Sequence, residues 1–209
     1  VAGALYCPED GHVNPLRLLR ALTETVLKLG GVIRTKCRVA DVQAEGDGFR
    51  LETQGGALVA DRVILAVGLG AMDLAPKLGF RTRVRPQQGQ VLITEKLPRL
   101  MRRPNVEVRQ VAEGGVQIGA SHADAGLDDR EDVATVAALA KRAVDMFPRL
   151  ARAKLIRSWA ALRILTPDGV PVYQQSASHP GAFFVTCHSG ITLAAVHSGP
   201  LCDWVVGAT

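Results

Sequence analysis

Apolar residues recur at helical spacing through Leu16, Leu19, Leu22, Val26 and Leu27, immediately after Asn14-Pro15. That pair is a helix start: the Asn side chain can take the first free backbone N–H groups, and Pro suits the first turn, where its missing N–H costs nothing. Gly30-Gly31 is the matching stop. Shorter runs follow. Residues 32–35 and 39–42 read as strands, Gly46-Asp47-Gly48 as a turn, and residues 49–53 and 58–61 as a hairpin about Gly55-Gly56. Residues 62–68 have an unbroken apolar middle, the pattern of a strand buried on both faces of an α/β sheet. After Pro76 the texture changes to alternating runs at 88–94, 106–111 and 116–120, set apart by Pro and Gly, which predict an antiparallel sheet. Asp128-Asp129 opens a helix to about residue 147, with Val133, Val136, Ala137, Ala140, Val144 and Phe147 on one face. The pattern closes with a strand at 155–162, a turn at Thr166-Pro167-Asp168-Gly169, a strand at 182–186 and a helix at 191–206.

The order is α/β, then antiparallel sheet with a helix, then α/β again. An antiparallel-sheet domain interrupting an α/β domain produces it, with boundaries at 1–75, 76–162 and 163–209. Ligands of such arrangements favour the cleft between domains. A chain of 209 residues with 47% hydrophobic and 22% charged residues can bury a true core, roughly 70% of its unfolded surface at this size. The net charge of +5 is scattered, with dense stretches only at Arg81, Arg83, Arg85 and at Arg99, Arg102, Arg103, and aromatics make up 4%. Basic grooves interleaved with stacking rings are missing, so nucleic acid is not an expected partner. Cys7, Cys37, Cys187 and Cys202 form no C-x-x-C pair. No metal site is expected from them, and reduced thiols point to the cytoplasm. No run approaches the ~20 apolar residues of a membrane helix. The apolar opening at residues 1–5 is expected to be a bare chain start without a leader.

Three stretches can carry chemistry. A strand ending in Ala66-Val67-Gly68-Leu69-Gly70-Ala71 lets backbone approach a cofactor closely, or is only a tight turn. Residues 159–172 place Arg163 at a strand end before a rigid turn, where its guanidinium can pair bidentately with a carboxylate or simply bond to Asp168. Thr186-Cys187-His188-Ser189-Gly190-Ile191-Thr192-Leu193 reads as a strand, a glycine turn and a helix N-terminus, whose free N–H groups suit an anion or the negative edge of a reduced flavin. His188 alone is equally a structural histidine.

These motifs, with Glu9-Asp10-Gly11-His12-Val13-Asn14-Pro15, Val39-Ala40-Asp41-Val42, residues 60–68, Pro86-Gln87-Gln88-Gly89-Gln90 and residues 162–171, stand in the order found in the D-amino-acid oxidase and glycine oxidase family. The chain resembles the C-terminal part of that family over nearly its whole length. Residues 187–194 look most like the flavin subunits of opine dehydrogenases, hydroxyproline dehydrogenases and hydrogen cyanide synthases. The resemblance implies a partial FAD-binding α/β domain, in residues 1–75 and 163–209, interrupted by an antiparallel-sheet substrate domain. It implies FAD as cofactor and oxidation of the C–N bond of an amino acid or secondary amine, the α-hydrogen passing to the flavin as hydride. Val39 would meet the adenine through its backbone, and Ala66 and Gly68 would lie on the adenosine–pyrophosphate side. Gly190, Ile191 and Thr192 would hold the flavin's pyrimidine edge, with His188 and Ser189 beside it, and Arg163 would bind the substrate carboxylate. Other oxidoreductase subunits, or self-association, are the implied macromolecular partners.

The sequence departs from the family at three points. Ile164 follows Arg163 where Pro is usual, Cys187 precedes His188 where Gly is usual, and no G-x-G-x-x-G follows a first strand. The resemblance therefore implies a truncated chain lacking roughly 150 leading residues, a domain's worth, and inactive by itself. The missing fingerprint motivates an alternative, a non-catalytic interaction module or remnant that binds a partner subunit without flavin. A third reading is a binder of small acids through Arg163, without redox chemistry.

Overall fold

The computed structural model describes residues 3, 5–81, 83–119 and 121–207. Parts of the expected apolar opening at 1–5, and residue 120 at the end of an expected strand, lie outside them. Contacts divide the chain into two compact units: the stretch to Leu22 with Gln87–Arg163, and Thr23–Pro86 with Ile164 onward.

The first helix, α1 (Pro15–Lys28), has the caps its sequence promises. Asn14 Oδ1 accepts from the N–H groups of Leu16 (3.1 Å) and Arg17 (3.2 Å). At the other end Gly30, at φ 84°, turns the chain back so that Gly31 N donates to Val26 O at 2.9 Å. No residue of α1 is buried, and its apolar stripe lies open, with Leu16 76% and Leu19 63% exposed. Residues 32–35 form no strand. The run is too short to outweigh Gly31 on one side and a turn at Lys36, itself at φ 55°, on the other.

In the second unit, β1 (Val39–Glu45), β2 (Gly48–Thr53) and β3 (Gly56–Ala60) form an antiparallel meander. The apolar stretch at 62–68 yields a short strand, β4 (Val63–Leu65), then a 3₁₀ turn at Gly68–Gly70 and the helix α2 (Ala71–Leu74).

The first unit is built on a four-stranded sheet of order β6-β7-β5-β8: β5 (Arg85–Lys96), β6 (Val108–Gln110), β7 (Gly115–Gly119) and β8 (Leu155–Leu165). The helix α3 (Val133–Met146) covers it. Leu139 and Ala143 of α3 join Leu92, Val108, Val116, Ile118 and Leu150 in one core. α3 starts at Val133 because Asp132 is its cap, accepting from Thr135 N at 2.7 Å and Ala134 N at 3.4 Å. Just upstream, Asp128 accepts from the backbone N–H (2.9 Å) and guanidinium (2.6 Å) of Arg130. These bonds lower its pKa from 3.8 to about 2. A depressed carboxylate contributes order that is present above the ordinary value and lost as pH falls through the folded one. A carbon-NMR titration of Asp128 should therefore show a midpoint near 2, moving part of the way toward the ordinary carboxylate range in Arg130→Ala, which keeps the backbone bond. A midpoint unchanged by that substitution would refute the pairing.

Returning to the second unit, β9 (Val172–Gln175), β10 (Ala182–Thr186) and β4 form a sheet of order β4-β10-β9. β10 pairs parallel with β4, Phe184 against Leu65, and antiparallel with β9. Every residue of β10 is buried, as a strand covered on both faces must be. Phe184 joins Leu65, Leu78, Phe80 and Phe49 in the core of this unit. The final helix expected at 191–206 is broken into α4 (Ala194–His197) and α5 (Pro200–Val206). Gly199-Pro200 divides it, since Pro offers no N–H to a preceding turn and restricts the residue before it. An α/β part and an antiparallel-sheet part alternate along the chain, the fold class expected from its pattern. Among the described residues no helix is long and apolar enough to cross a membrane.

Candidate functional site

The parallel pairing of β4 and β10 sets the first half of the site. The two strands run the same way, so the segments that follow them, 66–68 and 187–192, leave the sheet at one edge. Ligands of open α/β sheets bind beyond such carboxyl ends. At that edge Gly68 takes φ +60°, and a Cβ there would stand 3.2 Å from Ile164 Cδ1, so the position calls for glycine. Val39, at the start of β1, packs against the same core as Leu65 and Phe184. Its pairing with β2 slips between Val39 and Asp41.

After β10 the chain forms turns from His188 to Leu193, not the helix start expected at Ile191. Ser189 O accepts from Leu193 N at 3.0 Å, and His188 Nδ1 lies 3.3 Å from Ser189 Oγ. His188, Ser189, Gly190 and Ile191 are exposed, and Thr192 is exposed with them. A Cβ on Gly190 would meet only Cys187 Sγ, at 3.8 Å, so the glycine faces open space. α4, with four residues, is too short to supply the dipole expected of a long helix. What this edge offers a ligand is exposed turn backbone. Cys187 is half-buried, and burial raises its thiol pKa, which keeps it a neutral thiol.

This edge also leaves one polar atom unsatisfied. The Thr186 hydroxyl, at the end of β10, is the buried side-chain polar atom without a hydrogen-bond partner among the described residues. A buried hydroxyl left unpaired costs free energy, and a polar group bound at the sheet end would satisfy it. The sequence placed Thr186 at the end of that strand but gave its hydroxyl no role. Among the described residues, no group of three or more His, Cys, Asp or Glu could hold a metal.

Arg163 belongs to the other unit. It lies inside β8, not at its end, because Ile164-Leu165 in place of proline lets the strand continue to Leu165. Its Nη1 donates to Ser121 O at 2.9 Å and to Gln88 O at 3.3 Å. Nε and Nη2 have no hydrogen-bond partner among the described residues. Asp168, the partner weighed for Arg163 in the sequence, accepts instead from Val170 N at 3.1 Å. Burial lowers the Arg163 pKa from its usual 12.5, but a guanidinium stays charged near neutrality.

Around Arg163 stand residues whose roles the sequence did not give. Gln88 and Gln90 are 5% and 1% exposed. Gln88 Nε2 donates to Asp128 O (2.8 Å) and Arg130 O (3.1 Å), and Gln90 Oε1 accepts from Asp132 N at 3.2 Å. Gln90 N donates to Ser121 Oγ at 2.7 Å. The alternation of β5, which sets Gln88 and Gln90 in step with buried Leu92 and Thr94, was the available signal. Two buried amides in step with core positions mark a polar network inside the sheet.

A parallel strand pair with glycine-bearing turns at its carboxyl edge, joined in the chain to an antiparallel sheet bearing a half-buried arginine, is an α/β arrangement of the class whose ligands bind beyond the strand ends. The chain belongs to the FAD-dependent oxidoreductase (DAO) family, whose model matches residues 1–204. It is 39% identical to an opine oxidase subunit of Rhizobium meliloti over 198 residues, 95% of this chain and 53% of that protein. It is 31% identical to the hydrogen cyanide synthase component HcnC of Pseudomonas aeruginosa, over 98% of this chain and 51% of that one. The crystal structure of glycine oxidase from Geobacillus kaustophilus superposes with a TM-score of 0.85 at 24% identity, covering 92% of this chain and 54% of the enzyme, and shares its fold. The chain thus spans about half the length of the curated relatives it matches.

Proposed function

We propose that the chain is part of an FAD-dependent oxidoreductase that oxidises the C–N bond of an amino acid or secondary amine, and that the piece by itself does not turn over substrate. The observation that carries this is the shared carboxyl edge of β4 and β10, with Gly68, the orphaned Thr186 hydroxyl and the open 187–192 turns gathered there within a family that is FAD-dependent. The unit of Thr23–Pro86 with Ile164 onward contributes to the flavin-binding domain, and the unit of the stretch to Leu22 with Gln87–Arg163 forms the substrate domain, in place of the boundaries at 75 and 162 expected from the sequence. Val39 meets the adenine through its backbone, and Ala66 and Gly68 let the adenosine–pyrophosphate approach closely. Gly190, Ile191 and Thr192 present backbone to the pyrimidine edge, with His188 and Ser189 alongside. Bound FAD supplies the redox chemistry, accepting two electrons and the α-hydrogen of the amine. Arg163 holds the substrate carboxylate with the donors left free by its backbone bonds, orienting the amine carbon. No side chain of this edge is needed as a general base.

The opine oxidase relative and HcnC are both named as subunits of larger enzymes. By analogy the whole protein works with other oxidoreductase subunits. We place it in the cytoplasm on its four free cysteines, two of them exposed.

The whole protein, purified and mixed with FAD, is expected to show bound-flavin bands near ~370 and ~450 nm and to bleach without oxygen when given its amino acid from a panel that includes glycine, proline and opines. The open apolar stripe of α1 favours a second reading, a non-catalytic module docked on a partner subunit. A whole protein that stays colourless with FAD decides for that reading.

A further inference from the structure

Gly89 sits in the middle of β5, between β7 on one side and β8 on the other. Arg163 reaches from β8 across β5 to Ser121, in the segment after β7. It crosses where β5 has no side chain. A Cβ built on Gly89 would overlap Nη1, Cζ and Nη2 of Arg163, each closer than the 3.0 Å that real Cβ atoms keep. Those three atoms are its nearest neighbours. Gly89 is not among the glycines of positive φ, so its backbone would admit any L-residue. The demand for glycine at position 89 therefore comes from the guanidinium of Arg163 and not from the strand.

We propose that Gly89 is a positioning residue for Arg163. The bare Cα forms a flat seat, the carbonyls of Gln88 and Ser121 fix Nη1 at its rim, and Nε and Nη2 keep their donors for a carboxylate. The inference rests on the reading of Arg163 as the carboxylate-binding residue. A methyl group at position 89 would push the far end of a flexible side chain, leaving the sheet intact. Buried Gln88 and Gln90, tied to the 128–132 backbone, hold β5 and the Ser121 segment in register, so the seat itself does not yield.

The test uses the flavin-loaded whole protein, with acetate as the probe carboxylate read by the flavin's visible bands, and the substrate found by the bleaching panel. Gly89→Ala should weaken acetate binding and raise KM about 10- to 100-fold, the usual loss when hydrogen bonds to a charged group are misplaced, with a smaller change in kcat. The melting temperature and the flavin spectrum without acetate should hardly change. In an Arg163→Met background, Gly89→Ala should cost nothing more, because the group it displaces is gone. The side-chain nitrogen resonance of Arg163 should shift in Gly89→Ala. Equal losses from Gly89→Ala with and without Arg163, or an unshifted Arg163 resonance, would overturn the positioning role. An Arg163→Met protein that binds acetate unchanged would overturn the carboxylate reading instead. Should Gly89→Ala alone fail to accumulate, recovery in the double variant supports the seat and failure of the double variant refutes it.

Discussion

Arg163→Met should weaken the whole protein's hold on its amino acid by about 100-fold, seen as a higher KM with a lesser fall in kcat, as expected for loss of a charged hydrogen-bonding partner. Methionine keeps the length and much of the volume of the side chain, so the packing of β8 survives the change. What disappears is a half-buried cation with donors to spare. Removing one partner of a desolvated, hydrogen-bonded charge pair costs about 2–5 kcal/mol, and each ~1.4 kcal/mol is tenfold in affinity. The loss falls on ground state and transition state alike, because a carboxylate anchor holds both; hence the weight on KM. Arg163→Lys should recover only part, since an ammonium cannot form the two parallel bonds of a guanidinium. Steady-state kinetics with the substrate, alongside acetate titration, measure both variants. A KM for Arg163→Met within a few-fold of the parent would remove Arg163 from the site.

The largest effect on stability is expected from Phe184→Ala. The ring is 0% exposed, on the central strand of its sheet, with its centroid 5.6 Å from that of Phe80 in a tilted contact. Leu65 is its register partner across the parallel pair. Truncating such a ring forfeits its transfer energy and leaves a cavity that two covered sheet faces cannot close, a cost of about 3–5 kcal/mol. Against the ~5–15 kcal/mol of a typical domain that is a large share. Urea unfolding followed by fluorescence of Trp204 suits the measurement, because Trp204 stands edge-on to the neighbouring Phe183 at 5.0 Å. A loss below about 1 kcal/mol would mean that the ring is not the keystone its burial implies.

The parts of this molecule that could be read in the sequence are those fixed by neighbours along the chain. α1 announces itself with Asn14-Pro15 and Gly30, and the structure places caps at both ends. The hairpin of β2 and β3 follows from its glycines. Residues 32–35 mislead because β-branched side chains state a preference, whereas a strand also needs a partner, and none is formed. The periodicity of 191–206 was real, but Gly199-Pro200 outranks it. Site residues divide the same way. Arg163 and the Gly190 turn stood out in the sequence as candidates, although the structure sets Arg163 within β8 and not at its end. The seat of Arg163 was not, since Gln88 lies 75 positions away and Ser121 42. No local pattern tells which glycine of a sheet lies under which arginine. The Thr186 hydroxyl was invisible for the opposite reason: its significance lies in a partner it lacks.

The central place of β10 has a consequence for synthesis. β4 ends at Leu65 and waits for a strand that begins only at Ala182, and β10 itself ends at Thr186, close to the last described residue, Gly207. Pairings this distant in sequence form late, after a costly loop closure. On the ribosome, where chains emerge at about 5–20 residues per second, the carboxyl edge shared by β4 and β10 cannot exist until nearly all of this stretch has been translated. Until then Val63, Leu65 and Phe80 have no Phe184 to cover them. The nascent polypeptide must pass that interval with its apolar strand exposed, so a premature stop before residue 182 would yield a sticky product that lacks this edge altogether.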